Sequence, residues 1–240
     1  MRNTVIRGTA VALTLAALIG ARVTAADPPK VSIALGKRQA TATPHRDGCA
    51  KTAGGNIDVQ QPSPDTVVVT MTGVAVATAH PHGSDASIVF DLLQCFSVSF
   101  DDPKVKKAKI EIEGRVIGVL RSGCKGGSAR VGDGCASILI AGNPLGGLTI
   151  PGAGVSGGEN LSVNTREGPC SFPINKGDYA LHQAWSVDAS HPKGLCGSAA
   201  SAEFAPDAID PLWISHKEPF RGIAKKDFGF QIIIKVSPDE

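Results

Sequence analysis

The sequence lacks most of the short motifs that identify enzymes and metalloproteins. Its six cysteines include no Cys-x-x-Cys pair, and their wide spacing argues against a structural zinc site. No Asp-x-Asp-x-Asp-Gly loop occurs, which argues against an EF-hand calcium site. Asp101 and Asp102 instead precede Pro103, a combination typical of a turn at the end of a strand. These absences favour a binding or structural protein.

A strong charge of one sign is also missing. The chain has 24 basic and 22 acidic residues. Residues 1–25 contain three arginines and no acidic residue, so removing them leaves 21 basic against 22 acidic residues. One basic run occurs at residues 104–109 and is followed at once by two glutamates, which is typical of a solvated strand face. We therefore expect no nucleic-acid partner.

Residues 1–25 have the three-part pattern of a secretory signal peptide. Two early arginines precede an uncharged run from Gly8 to Ala21, and small residues follow at Val23 and Ala25. The uncharged run is shorter than the roughly 20 residues that span a bilayer, and no second long apolar run follows it. We predict cleavage before Ala26, a secreted or periplasmic location, and no transmembrane segment in the mature chain. An uncleaved membrane anchor is the alternative.

All the cysteines lie in the part of the chain predicted to be exported: Cys49, Cys95, Cys124, Cys135, Cys170 and Cys196. An even number of cysteines in an exported chain predicts disulfide bonds and an oxidising compartment. Six cysteines allow about 15 connectivities, among which the sequence does not choose. Our hypothesis joins near neighbours: Cys49 with Cys95, Cys124 with Cys135, and Cys170 with Cys196.

The remaining sequence is dominated by the two-residue period of half-buried strands. In residues 87–100, six apolar side chains fall on one face, which is interrupted by Gln94. Residues 107–121 and 227–236 repeat this alternation, and no convincing helix of ten residues occurs. We predict an all-β fold, a disulfide-stabilised β-sandwich of the Ig-like or jelly-roll type, formed by residues 26–240 as one domain.

Glycine interrupts the strand pattern in two places. In residues 66–80 the apolar positions change from odd to even at Gly73, which predicts a β-bulge there or a strand buried on both faces. Residues 124–158 are rich in glycine and are predicted to form long loops, as are residues 191–223. Because loops on a rigid sheet scaffold commonly carry function, both segments are expected to face a partner.

Two fragments match parts of catalytic motifs. Ser156 occupies the serine position of a Gly-x-Ser-x-Gly stretch, but a hydrolase nucleophile there needs a helix next, and strand-like residues follow. Cys196 lies in Leu-Cys-Gly-Ser-Ala, but a nucleophilic thiolate must be free, and this cysteine is predicted to be bonded. We therefore assign no catalytic residue. A secreted hydrolase whose catalytic groups are dispersed along the sequence is kept as an alternative.

The histidine pair His80 and His82 lies where a strand pattern ends. Side chains two apart on a strand share a face, so the pair could bind one copper or zinc ion. A third ligand would have to come from elsewhere, with His182, His191 and His216 as candidates. The intervening proline and the following Gly-Ser-Asp favour an exposed turn instead. A copper- or zinc-binding protein is therefore an alternative function.

In the strand pattern of residues 178–190, the aromatic residues Tyr179 and Trp185 fall on the same face as two aliphatic residues. This phase predicts that both rings face the core, with His182 on the opposite, solvent-facing side. An exposed platform for a sugar ring is the alternative for the two aromatic residues. Together, the observations predict a noncatalytic binding or structural module whose ligand is an unidentified protein or glycan.

Overall fold

A computed structural model describes residues 30–48, 52–78, 83–122, 127–192, 199–203 and 229–239. Its strands are β1 (Val31–Gly48), β2 (Thr52–Ser63), β3 (Thr66–Thr78), β4 (Ser84–Phe100), β5 (Ala108–Ser122), β6 (Ser128–Val131), β7 (Gly134–Ile140), β8 (Asn143–Ile150), β9 (Ala153–Ser156), β10 (Asn160–Ile174), β11 (Gly177–His191), β12 (Ala199–Glu203) and β13 (Gly229–Pro238). These described ranges contain no helix, so the predicted all-β class is confirmed.

The strands form two antiparallel sheets that pack face to face on one core. In the seven-stranded sheet, β1 pairs with β4 and β4 with β11, which then pairs with the short strands β6 and β7. Strands β9 and β8 complete this sheet beside β6 and β7. In the six-stranded sheet, β10 pairs with β5, β12 and β13 each pair with both β5 and β3, and β2 lies beside β3. The architecture is consistent with a β-sandwich.

Several predictions fall outside the described residues. They include the signal peptide at residues 1–25, the pair His80 and His82, and His216. Three of the six cysteines, Cys49, Cys124 and Cys196, and most of the predicted loop at residues 191–223 also lie there. In that loop, the structure describes His191, Pro192 and strand β12.

The core consists of the apolar faces that the alternation predicted. Buried residues alternate along β4, β11 and β13, and along the first half of β5. Trp185 lies between two phenylalanine rings, with centroid distances of 5.4 Å to Phe90 and 5.9 Å to Phe230. Tyr179 stacks on Phe96 with the centroids 5.8 Å apart. The core placement of both aromatic residues of β11 is therefore confirmed.

Gly73 is not at a β-bulge, so that prediction is wrong. The pairing of β3 with β2 runs through Gly73 without a shift and places Gly55 directly opposite it. A Cβ atom at Gly73 would lie 2.9 Å from the ring of Phe90, so the absence of a side chain makes room for this ring. Residues 73–77 are all buried, which confirms the alternative that both faces of this strand are covered.

The glycine-rich residues 124–158 do not form long loops, because residues 128–156 contain the four strands β6 to β9. Two of their glycines lie where aromatic rings cross the strands. A Cβ atom at Gly134 would lie 2.9 Å from the ring of Phe230, and one at Gly146 would overlap the ring of Phe172. A tight turn with positive φ angles at Ala141 and Gly142 joins β7 to β8. Here glycine therefore provides space within strands as well as flexibility at turns.

The structure shows none of the predicted disulfide bonds among the residues that it describes. Cys95, Cys135 and Cys170 are free thiols, and each of the three predicted bonds would use one of them. Their cross-strand neighbours are not cysteines, since Cys95 lies opposite Ala180 and Cys170 opposite Ile112. The Cys135 Sγ lies 3.9 Å from the Thr149 hydroxyl on β8. The predicted pairing rests on spacing in the sequence, which contains no information about which strands are neighbours.

Gln94 interrupts the apolar face of β4 because it holds an irregularity in the neighbouring strand. The register of β1 on β4 shifts between Leu35 and Arg38. The buried Gln94 amide donates hydrogen bonds to the carbonyl oxygens of Cys95 at 2.7 Å and Gly36 at 3.2 Å. This β-bulge lies at the edge of the sheet, and its Gly36 lines a groove on the outer face.

Candidate functional site

A shallow groove crosses the outer face of the seven-stranded sheet. Its floor follows one row of cross-strand neighbours, in which Cys95 on β4 lies opposite Ala180 on β11, and Ala180 opposite Leu139 on β7. Gly36, in the bulge of β1, continues the row beyond Cys95. Because three of these four residues are small, the surface is lower here than on either side.

The groove has a volume of about 430 Å³ and a mostly apolar lining. Leu93 bounds it toward the middle of the sheet, and the turn at Ala141 and Gly142 bounds it beside β7. The opposite rim is polar, where the Ser97 hydroxyl donates a 2.6 Å hydrogen bond to the Asp178 carboxylate. An apolar floor with a few fixed polar groups at the rim is the usual composition of a binding site.

His182 lies next to the groove, on the outer face of β11 and directly opposite Leu93. Its Nε2 atom is 3.2 Å from the Asp91 carboxylate, and the two side chains are 43% and 59% exposed. The predicted solvent-facing position of His182 is therefore confirmed. An exposed ion pair of this kind contributes roughly 0–1 kcal/mol to stability, so it has little structural role.

The described residues around His182 do not form a nucleophilic site. Ser137 lies directly opposite it on β7, but the serine hydroxyl leans toward Gly147 on β8. No hydrogen bond joins His182 to Ser137 or Cys95. Backbone N–H groups within a paired sheet are already used by the ladder, so this face offers no evident donor pair for an oxyanion. The arrangement is an ion pair on an open surface.

Ser156, the residue in the Gly-x-Ser-x-Gly stretch, also lacks the geometry of a hydrolase nucleophile. It is the last residue of β9 and is followed by a turn at Gly157 and Gly158 and then by β10. The strand-like character predicted for the residues after it is confirmed. A nucleophile elbow requires a strand followed by a helix, and a strand follows here.

A second, polar depression lies at the other end of the same face, where β4, β6 and β11 meet. Its volume is about 390 Å³, and its charged residues are Asp85, Asp188 and Arg130. Burial raises the pKa of the Asp188 carboxyl, while a 3.3 Å hydrogen bond from the Ser186 hydroxyl and the charge of Arg130 act in the opposite direction. The sequence did not reveal this cluster because its residues are far apart until the strands pair.

Asp188→Asn is expected to remove one contribution by which the stability of the wild type falls as the pH rises through the acid range. Because the folded-state pKa is raised, stability falls as the pH rises from about 3.8 through the raised pKa, and the substitution removes that loss. Urea unfolding between about pH 3.5 and 7 measures the slope for the wild type and the variant. Asp85→Asn, which removes an exposed carboxylate from the same depression, is the control for the loss of one negative charge. Equal slopes in the wild type and the Asp188 variant would contradict the prediction.

No cluster of three His, Cys, Asp or Glu residues suited to a metal ion occurs in the described part of the chain. Among the candidate third ligands, His191 is buried at the end of β11, opposite Ser84. Its Nδ1 atom donates a hydrogen bond of 3.2 Å to the Pro192 carbonyl. His182 lies nine residues earlier on the same strand, so the two histidines belong to different ends of the sheet. Copper or zinc binding by His80 and His82 stays a prediction.

Two further findings bear on the kind of protein this is. Within the described ranges there is no helix long and apolar enough to cross a membrane. The sequence matches no known family model, and no curated protein shows significant similarity to it.

Proposed function

We propose that this protein is an exported, noncatalytic binding module of one domain, secreted or periplasmic, whose ligand is another protein. The observation that carries the proposal is the apolar groove over Cys95, Ala180 and Leu139 on the outer face of the seven-stranded sheet. An aliphatic side chain fully buried there would contribute roughly 1.5–3 kcal/mol, which is the size of an interface hot spot.

A protein ligand is favoured over a glycan by the position of the aromatic residues. Sugar rings commonly stack on exposed aromatic rings, but Tyr179 and Trp185 are 5% and 2% exposed and face the core. The groove itself presents the aliphatic side chains Leu93 and Leu139. Such a surface suits an apolar side chain from a protein better than a polyhydroxylated ring.

The groove is tested by placing a charge in its floor. Ala180→Lys places a long cation in the floor of the groove, so a partner is expected to lose at least about tenfold in affinity. Ala184→Lys is the matched control, because this alanine lies on the outer face of the same strand but outside the groove lining. The control should bind like the wild type.

The readout is site-specific photo-cross-linking. A benzophenone amino acid replaces Ile140, which is 44% exposed beside the groove, or Leu161, which is 40% exposed on the other sheet. Each protein is exposed to the exported proteins of the source culture. We expect one product from position 140 that Ala180→Lys abolishes and Ala184→Lys retains. Equal products from both positions, or products insensitive to Ala180→Lys, would argue against the groove.

The hydrolase alternative has a separate test. Because His182 and Asp91 form an imidazole–carboxylate pair on this face, any turnover of ester, peptide or glycoside substrates there should depend on His182. We expect no turnover by the wild type. Turnover that His182→Ala removes would replace the binding proposal with an enzymatic one.

A further inference from the structure

The first strand forms an unusually exposed edge. Strand β1 is the end strand of the seven-stranded sheet. From Ala34 to Asp47 every residue is exposed except Ala42, which is half-buried. An edge strand of this length presents a row of backbone donors and acceptors that a second extended chain can pair with.

The orientation of the β1 backbone follows from its register. The Ile33 N–H donates to the Pro64 carbonyl at 2.7 Å, so the Ile33 backbone points away from β4. The backbone N–H and C=O groups of its partner Val98 therefore also point away from β1, as do those of the other even-numbered residues of β4. Beyond the bulge, the β1 residues whose backbone groups consequently face the open side are Arg38, Ala40, Ala42, Pro44 and Arg46. Pro44 agrees with this assignment, since a proline within a paired strand must face the open side.

The ends of this edge are held while its middle is open. The Gln61 amide donates to the Ile33 carbonyl at 2.7 Å, and the Arg46 guanidinium donates to the Ala53 carbonyl at 2.9 Å. These contacts hold β1 against β2 near its two ends. Between them, the core-facing side chains Ala42 and Ile57 are half-buried. Apolar side chains on an added strand could cover both.

The charge on the edge identifies the kind of strand that fits. Residues 37–46 contain Lys37, Arg38 and Arg46 and no acidic residue. Arg38 and Arg46 lie on the core-facing side of the strand, at opposite ends of the open stretch. A second copy of β1 paired antiparallel about Ala42 would place Arg38 opposite Arg46, which brings like charges together. An acidic strand has the complementary charge at both positions.

We propose that residues 37–46 are a docking edge for an extended, acidic segment of a partner protein, which adds a strand to the seven-stranded sheet. The site is separate from the groove over Ala180, because it uses the backbone edge of β1 rather than the face of the sheet. Backbone hydrogen bonds would supply affinity, and the charges at the two ends would supply selectivity and direction.

The probe is a labelled nine-residue peptide, Glu-Thr-Val-Thr-Val-Thr-Val-Thr-Glu. Paired antiparallel, it places valines opposite Ala40, Ala42 and Pro44 and glutamates opposite Arg38 and Arg46. Its control peptide has lysine in place of both glutamates. Fluorescence anisotropy with the full-length protein is expected to show at least about tenfold tighter binding of the glutamate peptide, and Arg38→Glu should remove most of that preference.

Backbone pairing is tested separately from charge. Ala40→Pro removes an outward N–H without introducing charge and is expected to weaken glutamate-peptide binding at least about tenfold. Thr41→Ala, whose side chain lies on the outer face, should leave binding unchanged. If Ala40→Pro does not fold, a peptide with alternate N-methylated amides tests the same hydrogen bonds on the unaltered protein. Equal binding of the two peptides, binding unaffected by N-methylation, or peptide-competed dimers of the protein in sedimentation would each overturn the proposal.

Discussion

Gly55→Ala is expected to lower the free energy of unfolding by about 3 kcal/mol, although it adds a single methyl group to a half-exposed edge strand. The new Cβ atom would overlap both the Thr72 carbonyl oxygen and the ring of Phe90. The carbonyl belongs to the neighbouring strand β3, and Phe90 is fully buried against Trp185. Neither group has room to move, so the strain falls on the backbone pairing.

The adjacent residue provides a matched control. Gly54→Ala makes the same chemical change one position earlier in β2, where a Cβ atom would meet nothing within 4 Å. This variant is expected to be neutral or to gain about 0.4–1 kcal/mol, because alanine restricts the unfolded chain more than glycine does. Urea denaturation followed by tryptophan fluorescence measures both changes. Similar losses in the two variants would show that strand propensity, and not the Phe90 ring, governs this site.

Gly54 and Gly55 are identical in the sequence but differ in their surroundings, which shows where prediction of the fold from the sequence reaches its limit. Alternation of apolar residues correctly predicted the buried faces of β4, β5 and β13, because that pattern is local. It failed at Gly73 and in the strands β6 to β9. In the sequence, a glycine that leaves room for an aromatic ring from another strand cannot be distinguished from a glycine in a turn. The difference depends on strands that are distant in the sequence.

The candidate site was hidden from the sequence for the same reason. The groove exists because Gly36, Cys95 and Ala180 form one row of small residues across β1, β4 and β11. No two of them are closer than 59 positions in the chain, so no motif connects them. The open edge of β1 also required the register, since the strand order decides which strand lies at the end of the sheet. The sequence does not show that the basic residues of β1 lie at such an edge.

The second large change in the free energy of unfolding is expected at a buried glutamine. Gln183 lies in the core-facing phase of β11, between Leu181 and Trp185, and is 0% exposed. Neither its amide nitrogen nor its amide oxygen has a hydrogen-bond partner. A buried amide without partners costs roughly 1–3 kcal/mol. Gln183→Met keeps nearly the same shape and removes both polar atoms, so it is expected to raise the free energy of unfolding by about 1–3 kcal/mol.

The same substitution at Gln94 is expected to have the opposite sign. The Gln94 amide is also buried, but its nitrogen donates to the carbonyl oxygens of Cys95 on β4 and of Gly36 in the β1 bulge. Gln94→Met leaves these acceptors without their donor and should lower the free energy of unfolding by about 1–3 kcal/mol. Urea midpoints at unchanged m-value measure both effects. Two core-facing glutamines on neighbouring strands would then differ in the sign of the effect, because one amide holds a bulge and the other has no hydrogen-bond partner. Loss of stability in both variants would show that the Gln183 amide has hydrogen-bond partners in solution.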